Sequence, residues 1–208
     1  MKGFESSGIF RRRRQCVLAS ACAAVFPATA FAADIHAAIG RVDPPRQAPA
    51  LPMRNHEGAE QGLRALLEGK VSAVQIMFTG CSSICPVQGA LFAAVEAALV
   101  SPAMQGVQLL SISIDPLGDT PAELRGWRRK FSAGPRWNAA VPADRDLPQL
   151  LAWLGGKPPA SLDRHTTQVY VVDRAAQLCW RSRDLPAARE VLAALQARAG
   201  PEMLRPKS

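Results

Sequence analysis

The spacing of apolar residues changes along the chain from continuous short runs to helical spacing and back, which predicts strands separated by helices. Two apolar runs, residues 71–78 and 107–114, are continuous enough to be buried strands. Between them, the apolar residues of segment 87–99 recur at helical spacing, so this segment is predicted to be a helix. Two further runs, residues 168–172 and 177–181, predict strands joined by a tight turn.

Capping residues and spacing place three more helices. They are predicted at about 120–131, about 147–154 and 186–199. Thr120 is the expected N-cap of the first, with Pro121 at its first position and Glu123 completing a capping box. The second ends at Gly155 and Gly156, as helices often do. The order of the elements predicts an α/β sandwich with a mixed central sheet.

The first 32 residues have the pattern of a secretory signal peptide. Residues 11–14 are four arginines, residues 16–28 form an apolar stretch, and residues 30–32 (Ala-Phe-Ala) supply a cleavage signal. Export to the periplasm with cleavage of residues 1–32 is therefore expected. A retained inner-membrane anchor is the alternative, because residues 16–33 reach the borderline length of a bilayer span.

The rest of the chain is expected to hold one folded domain. Residues 33–54, rich in proline and alanine, are predicted to be a flexible N-terminal arm. The domain is predicted over residues 55–200, followed by a tail at residues 201–208. We expect the protein to be a monomer.

The net charge gives little support for nucleic-acid binding. Removing residues 1–32 takes away Lys2, four arginines and Glu5, so the formal charge falls from +8 to +4. The remaining positive residues are scattered. The basic residues at 125, 128, 129 and 130 fit a solvated helix face, and no basic stripe carries interleaved aromatics.

Cys81 and Cys85 are the main candidates for chemistry. They stand between a predicted strand and a predicted helix, where free N–H groups and the helix dipole favour thiolate over thiol. Two sulfurs four residues apart can share a soft metal ion or form a disulfide. A purely stabilising bridge is disfavoured, because so short a loop gains little from closure.

Cys16 and Cys22 would leave with the predicted signal peptide, so Cys179 and the three histidines remain to be weighed against this pair. Cys179 lies in a predicted strand and is expected to be a buried free thiol. His36 and His56 are expected to be exposed and without a role. His165 directly precedes a core strand, at the sheet edge that faces the cysteine loop in thioredoxin-type sheets. Thioredoxins have a cis-proline at this place, but no proline stands between residues 160 and 170 here, so another residue fills the position. His165 is therefore predicted to be the third metal ligand.

Three blocks of sequence carry a resemblance to a known family. They are residues 78–86 (Phe-Thr-Gly-Cys-Ser-Ser-Ile-Cys-Pro), residues 113–116 (Ser-Ile-Asp-Pro) with Asp119 and Thr120, and His165 with the strand after it. In order and spacing the chain resembles the SCO/SenC family of copper-binding assembly proteins over about residues 55–200. The resemblance implies a thioredoxin-like three-layer α/β sandwich.

The resemblance also implies a metal, ligands and partners. Family members bind one copper through two cysteines and a histidine, which here are Cys81, Cys85 and His165, and help to build the copper centre of cytochrome oxidase. Thiolates with imidazole suit Cu(I), and Cu(II) is the other expected oxidation state. The implied partners are a cytochrome oxidase subunit or another copper client, with a thiol reductant or a copper donor protein. Asp115 is expected to orient the cysteine loop.

Two other functions stay open from the residues. One is an exported thiol–disulfide oxidoreductase in which Cys81 attacks and Cys85 resolves. The other is a copper-dependent redox sensor that binds a regulatory partner. Copper stoichiometry and disulfide-reduction assays separate these from a copper chaperone.

Overall fold

A computed structural model describes residues 39–155 and 166–200 of the chain, and these residues form eight strands, five α-helices and two short 3₁₀ helices. The strands are β1 (Gly40–Gln47), β2 (Pro52–Asn55), β3 (Glu60–Gly62), β4 (Val71–Met77), β5 (Val107–Ser113), β6 (Trp137–Pro142), β7 (Tyr170–Val172) and β8 (Gln177–Arg181). The helices are α1 (Leu63–Leu67), α2 (Cys85–Ala97), α3 (Pro121–Lys130), α4 (Leu147–Leu154) and α5 (Ala188–Ala199).

The described strands form one mixed sheet in the order β1-β8-β7-β4-β5-β6-β2-β3. The central strands β4, β5 and β6 run parallel to one another, whereas the strands outside them pair antiparallel. The carboxyl ends of the three parallel strands therefore share one edge of the sheet. This edge leads into the cysteine loop, and we call it the cysteine edge.

Helices cover both faces of this sheet. On β4, Val71 and Ala73 pack in a core with α2 and α5, while Val74 and Ile76 pack in a second core with α1 and α4. A strand buried on both faces is a continuous apolar run in sequence, which is the pattern that predicted β4. The predicted thioredoxin-like three-layer α/β sandwich is confirmed.

Most predicted elements lie within two residues of their expected bounds. Helix α2 begins earlier than expected, at Cys85. Thr120 is the N-cap of α3, but its hydroxyl accepts from the Ala122 N–H at 3.2 Å and not from the Glu123 N–H that a capping box uses. Helix α4 ends at Gly155, whose φ of 70° is left-handed. Glycine takes this conformation with little strain, so it favours the end of the helix there.

The prediction of a flexible arm over residues 33–54 is wrong for the residues that the structure describes. Strand β1 pairs antiparallel with β8, and β2 pairs with β6 inside the sheet. Ala48, Leu51 and Met53 are buried in the core. Proline and alanine content suggests a flexible arm, but these residues join the sheet through backbone hydrogen bonds, which composition does not reveal.

The basic face of α3 agrees with its prediction in part. Arg125, Arg129 and Lys130 are exposed, whereas Arg128 is half-buried and donates to the carbonyls of Trp137 and Gly134. Within residues 39–155 and 166–200, no helix has the length and apolar character needed to cross a membrane.

Candidate metal centre

The cysteine pair lies where β4 passes into α2. Strand β4 ends at Met77, and Cys85 is the first residue of the helix. Pro86 follows in the first turn, where its missing N–H leaves no gap in the helical hydrogen bonds. The chain thus holds Cys85 on the helix and Cys81 in the loop before it.

Both thiols are free and buried, and the structure brings them together. Cys81 is 7% exposed and Cys85 is 1% exposed. The Cys85 N–H donates to the Cys81 sulfur over 3.4 Å, and the Ser83 hydroxyl lies 3.8 Å from the same sulfur. A free N–H at the start of α2 therefore stabilises negative charge on Cys81, as sequence position predicted.

The pKa values of the two thiols are shifted in opposite directions. Burial raises the pKa of Cys81, but hydrogen bonds from the Cys85 thiol and from backbone N–H groups outweigh it and lower that pKa to about 7. Burial, followed by the hydrogen bond to Cys81, raises the pKa of Cys85 to about 12. Near neutral pH, the pair consists of a partly ionised Cys81 and a protonated Cys85.

This difference gives a pH-dependent prediction for the reduced, metal-free protein. Because the thiolate is the reactive form, the rate of alkylation of Cys81 should rise with pH through a midpoint near 7. Cys85 and Cys179 should react slowly at that pH. Mass spectrometry after brief iodoacetamide pulses at several pH values measures this, with unfolded protein as the control. Faster labelling of Cys85 than of Cys81 would contradict the assignment.

Asp119 ties the cysteine loop to the loop after β5. Its buried carboxylate accepts hydrogen bonds from the Thr79 N–H (3.0 Å), from the Thr79 hydroxyl and from the Ser113 hydroxyl (2.6 Å). Thr79 stands two residues before Cys81. The carboxylate therefore fixes the path by which the chain leaves β4 and reaches the first cysteine.

Asp115, which sequence analysis expected in this role, has a different one. Its carboxylate accepts from the Gly118 N–H at 3.0 Å and so closes the turn after β5. The described side-chain hydrogen bonds between the cysteine loop and this block are the ones that Thr79 donates to Asp119, four residues after Asp115. A signal for Asp119 was present, because that block contains both aspartates.

Replacing Asp119 should therefore loosen the cysteine loop. In Asp119→Asn, an amide NH₂ faces donors that the carboxylate accepts from, so we expect a loss of about 3 kcal/mol in the free energy of unfolding. Asp115→Asn is the matched control, because its oxygen can still accept from Gly118, and it should cost less than about 1 kcal/mol. Urea unfolding of both variants measures this. Equal losses would refute the special role of Asp119.

An apolar shell surrounds the sulfurs. Both cysteines pack in one buried cluster with Met77, Leu124 and Trp127, which also includes residues of β6. Such a shell limits solvent access to a bound ion and lowers the local dielectric. Burial at the cysteine edge thus protects the sulfurs, while the loop position of Cys81 keeps it next to the surface.

Cys179 and His56 lie apart from the cysteine pair. Cys179 is a buried free thiol, as predicted; its sulfur donates to the Val171 carbonyl and accepts from Arg198. The prediction that His56 is exposed is wrong. It is 6% exposed, because its ring lies against the Ala139 backbone of β6, and burial lowers its pKa. His36 lies outside the described residues.

The predicted third ligand, His165, also lies outside the described residues, so its place in the site stays a prediction. Among the described histidines, cysteines, aspartates and glutamates, no group of three is arranged to hold a metal ion. The next element does show where the chain comes from. Strand β7 pairs antiparallel with β4, with Tyr170 opposite Val74, so the described residues before it, 166–169, approach from the cysteine edge.

Comparisons with known proteins agree with this geometry. Residues 52–136 match the SCO1/SenC family model, and no curated protein matches the chain. A SCO1/SenC family lipoprotein from Bacillus anthracis is similar in structure, with 22% identity and a TM-score of 0.63 over 76% of this chain and 99% of that one. Yeast Sco1 with copper bound has 18% identity and a TM-score of 0.63 over 78% and 92% of the two chains.

A third similar structure is BsSco, described as a member of the Sco family of cytochrome c oxidase assembly proteins. It has 19% identity and a TM-score of 0.64 over 76% of this chain and 97% of that one. Identities this low establish a shared fold, while the family-model match covers both cysteines and Asp119. The resemblance to the SCO1/SenC family is thus confirmed by the family model over residues 52–136 and by the fold of similar Sco structures.

Proposed function

We propose that this protein is an exported copper chaperone that binds one copper ion through Cys81, Cys85 and His165 and transfers it to a copper client. A cytochrome oxidase subunit is the client favoured by the family, since BsSco is described as belonging to cytochrome c oxidase assembly proteins. The copper-bound structure of yeast Sco1 supports copper as the cargo.

The observation that carries the proposal is the state of the cysteine pair. Two free sulfurs meet at a strand-to-helix junction, one of them already acidic and accepting a backbone N–H. Thiolates are the preferred donors of Cu(I), whereas a closed structural zinc site normally needs four ligands. The donor set of this chain therefore fits a soft ion held by few ligands.

Each residue has a distinct task in uptake and release. Cys81 offers a thiolate near neutral pH, so it is the first donor to meet the ion. Cys85 is protonated in the free protein and must lose its proton when copper binds, so binding should release a proton. With only three protein ligands, an incoming ligand of the client can bind copper before the cysteines leave.

The same proposal assigns a cellular location to the protein and a role to its first 32 residues. Residues 1–32 would direct export to the periplasm, either as a cleaved signal peptide or as a retained anchor. The folded part would then meet its copper donor and its client outside the cytoplasm. A thiol reductant would be needed there, because an oxidising compartment drives neighbouring cysteines towards a disulfide.

One observation favours a second function. An acidic Cys81 beside a protonated Cys85 is also the arrangement of a thiol–disulfide oxidoreductase, in which the thiolate attacks and the second cysteine resolves. In that reaction, Cys81 forms a mixed disulfide and releases one substrate thiol. Attack by Cys85 then releases the other and leaves the oxidised pair.

A paired assay distinguishes the two functions. Reduced protein is titrated with Cu(I) under anaerobic conditions, and the same preparation is tested for reduction of insulin disulfides with dithiothreitol as the electron source. The chaperone proposal expects one copper per chain and no acceleration over dithiothreitol alone. Catalytic turnover without stoichiometric copper binding would favour the oxidoreductase.

A further inference from the structure

We infer that Gln88 is a positioning residue that ties the cysteine helix to the chain segment carrying His165. This inference rests on the proposed copper site and adds to it a residue that touches neither the metal nor its sulfurs. Gln88 lies on α2 three residues after Cys85, so both residues are on the same side of the helix.

The side chain of Gln88 is buried and has a specific partner. It is 1% exposed, and its Nε2 donates to the carbonyl of Thr166 over 3.4 Å. A buried amide without a hydrogen bond is costly, so the interior position of Gln88 favours keeping this bond. Thr166 is bonded directly to His165, so Gln88 holds the backbone immediately after the predicted ligand.

The rest of the segment is fixed from its other side. The Thr167 carbonyl accepts from the Leu185 N–H, the Thr167 hydroxyl donates to Asp184, and the Val169 N–H donates to the Ser182 hydroxyl. These partners belong to the loop after β8. Among the described hydrogen bonds, the one from Gln88 to Thr166 joins this segment to α2, which also carries Cys85.

This link should matter most for Cu(II), the copper oxidation state that needs the histidine. Two thiolates can hold Cu(I) on their own, whereas Cu(II) prefers a tetragonal set that includes nitrogen. Loss of the Gln88 bond should therefore weaken Cu(II) binding more than Cu(I) binding. It should also change the Cu(II) spectrum, because it frees the backbone of Thr166, the residue next to the proposed ligand.

Gln88→Met tests the inference, because methionine keeps the length and the apolar stem but has no donor. We expect about a 10- to 100-fold loss of Cu(II) affinity, as for other residues that orient a metal ligand, and an altered electron paramagnetic resonance spectrum. Gln108→Met is the matched control. Gln108 is also buried and bonds the Leu66 carbonyl and Ser72, but it lies at the opposite end of the sheet. Its variant should lose stability with an unchanged spectrum.

Adding Gln88→Met to the His165→Ala variant separates this inference from the proposed function. In His165→Ala, adding Gln88→Met should change copper binding no further, because the residue to be positioned is gone. If His165→Ala alone leaves both copper affinities unchanged, the proposed ligand set fails. If His165→Ala changes the spectrum and Gln88→Met does not, the role of Gln88 is overturned. Should Gln88→Met not fold, Gln88→Asn, whose shorter amide cannot reach Thr166, is judged by the same outcomes.

Discussion

Replacing either cysteine of the pair, in Cys81→Ser or Cys85→Ser, should abolish tight Cu(I) binding. A serine hydroxyl does not ionise near neutral pH and offers no soft donor, so the single remaining thiolate cannot hold the ion. The loss should far exceed the roughly 10- to 100-fold that follows removal of an orienting partner. Competition with a chromophoric Cu(I) chelator under anaerobic conditions measures the affinity.

Cys179→Ala is the matched control for this experiment. Cys179 is also free and buried, but it packs in the core between the sheet and α5. Its replacement should cost about 1–2 kcal/mol of stability and leave one copper per chain. Retention of tight Cu(I) binding by either serine variant, or its loss in Cys179→Ala, would move the site away from the pair.

His165→Ala should weaken Cu(I) binding without removing it and should abolish stable Cu(II) binding. Two thiolates can still hold Cu(I) linearly, whereas Cu(II) loses the nitrogen donor that its geometry favours. Affinities for both ions, with the absorption spectrum of the Cu(II) form, measure the two effects separately. Unchanged affinity for both oxidation states would remove His165 from the site.

The matched control is His56→Ala, which removes a buried histidine that is not part of the proposed site. The His56 ring lies 3.3–3.4 Å from the backbone of Ala139 in β6, so its loss should lower stability. Copper stoichiometry and the Cu(II) spectrum should not change. A spectral change in His56→Ala would show that general loosening of the fold, and not ligand loss, explains the effect of His165→Ala.

The central part of the fold could be predicted because its residues carry their own pattern. Strands β4 and β5 are buried on both faces and are therefore mostly apolar along their whole length, with only a few serines and glutamines among the apolar residues. The cysteine pair could be placed at the start of a helix for the same reason, since a strand pattern ends just before it and a helical one begins just after it.

Strands β1 and β6 could not be predicted in this way. Strand β1 places only Val42 in the core, and its other residues are mostly exposed, so its pairing with β8 leaves little hydrophobic signal. Strand β6 contains Asn138 and ends in Pro142, which hides a strand that lies between β5 and β2. Backbone pairing between distant segments forms these elements, and it leaves no local signature.

The surroundings of the site were missed for a related reason. Asp115 and Asp119 are equivalent in sequence pattern, and only the turn after β5 decides which carboxylate reaches Thr79. The burial of His56 depends on Ala139, which is 83 positions away in the chain. Such long-range contacts are set by the assembled fold, whereas the cysteine spacing is set by a few neighbouring residues.

If the cysteine pair holds copper, reduced protein with one equivalent of Cu(I) should differ from reduced protein without it, and this comparison is the most direct test. Because the ion binds the folded arrangement of ligands, copper should raise the melting temperature; binding at 1,000 times the dissociation constant adds about 4 kcal/mol. Copper should also protect Cys81 and Cys85 from oxidation, while the metal-free pair oxidises readily. Free-thiol counts in air and thermal unfolding measure both effects. If copper gives neither protection nor a higher melting temperature, while the metal-free protein turns over disulfide substrates, the protein is a thiol–disulfide oxidoreductase and not a copper chaperone.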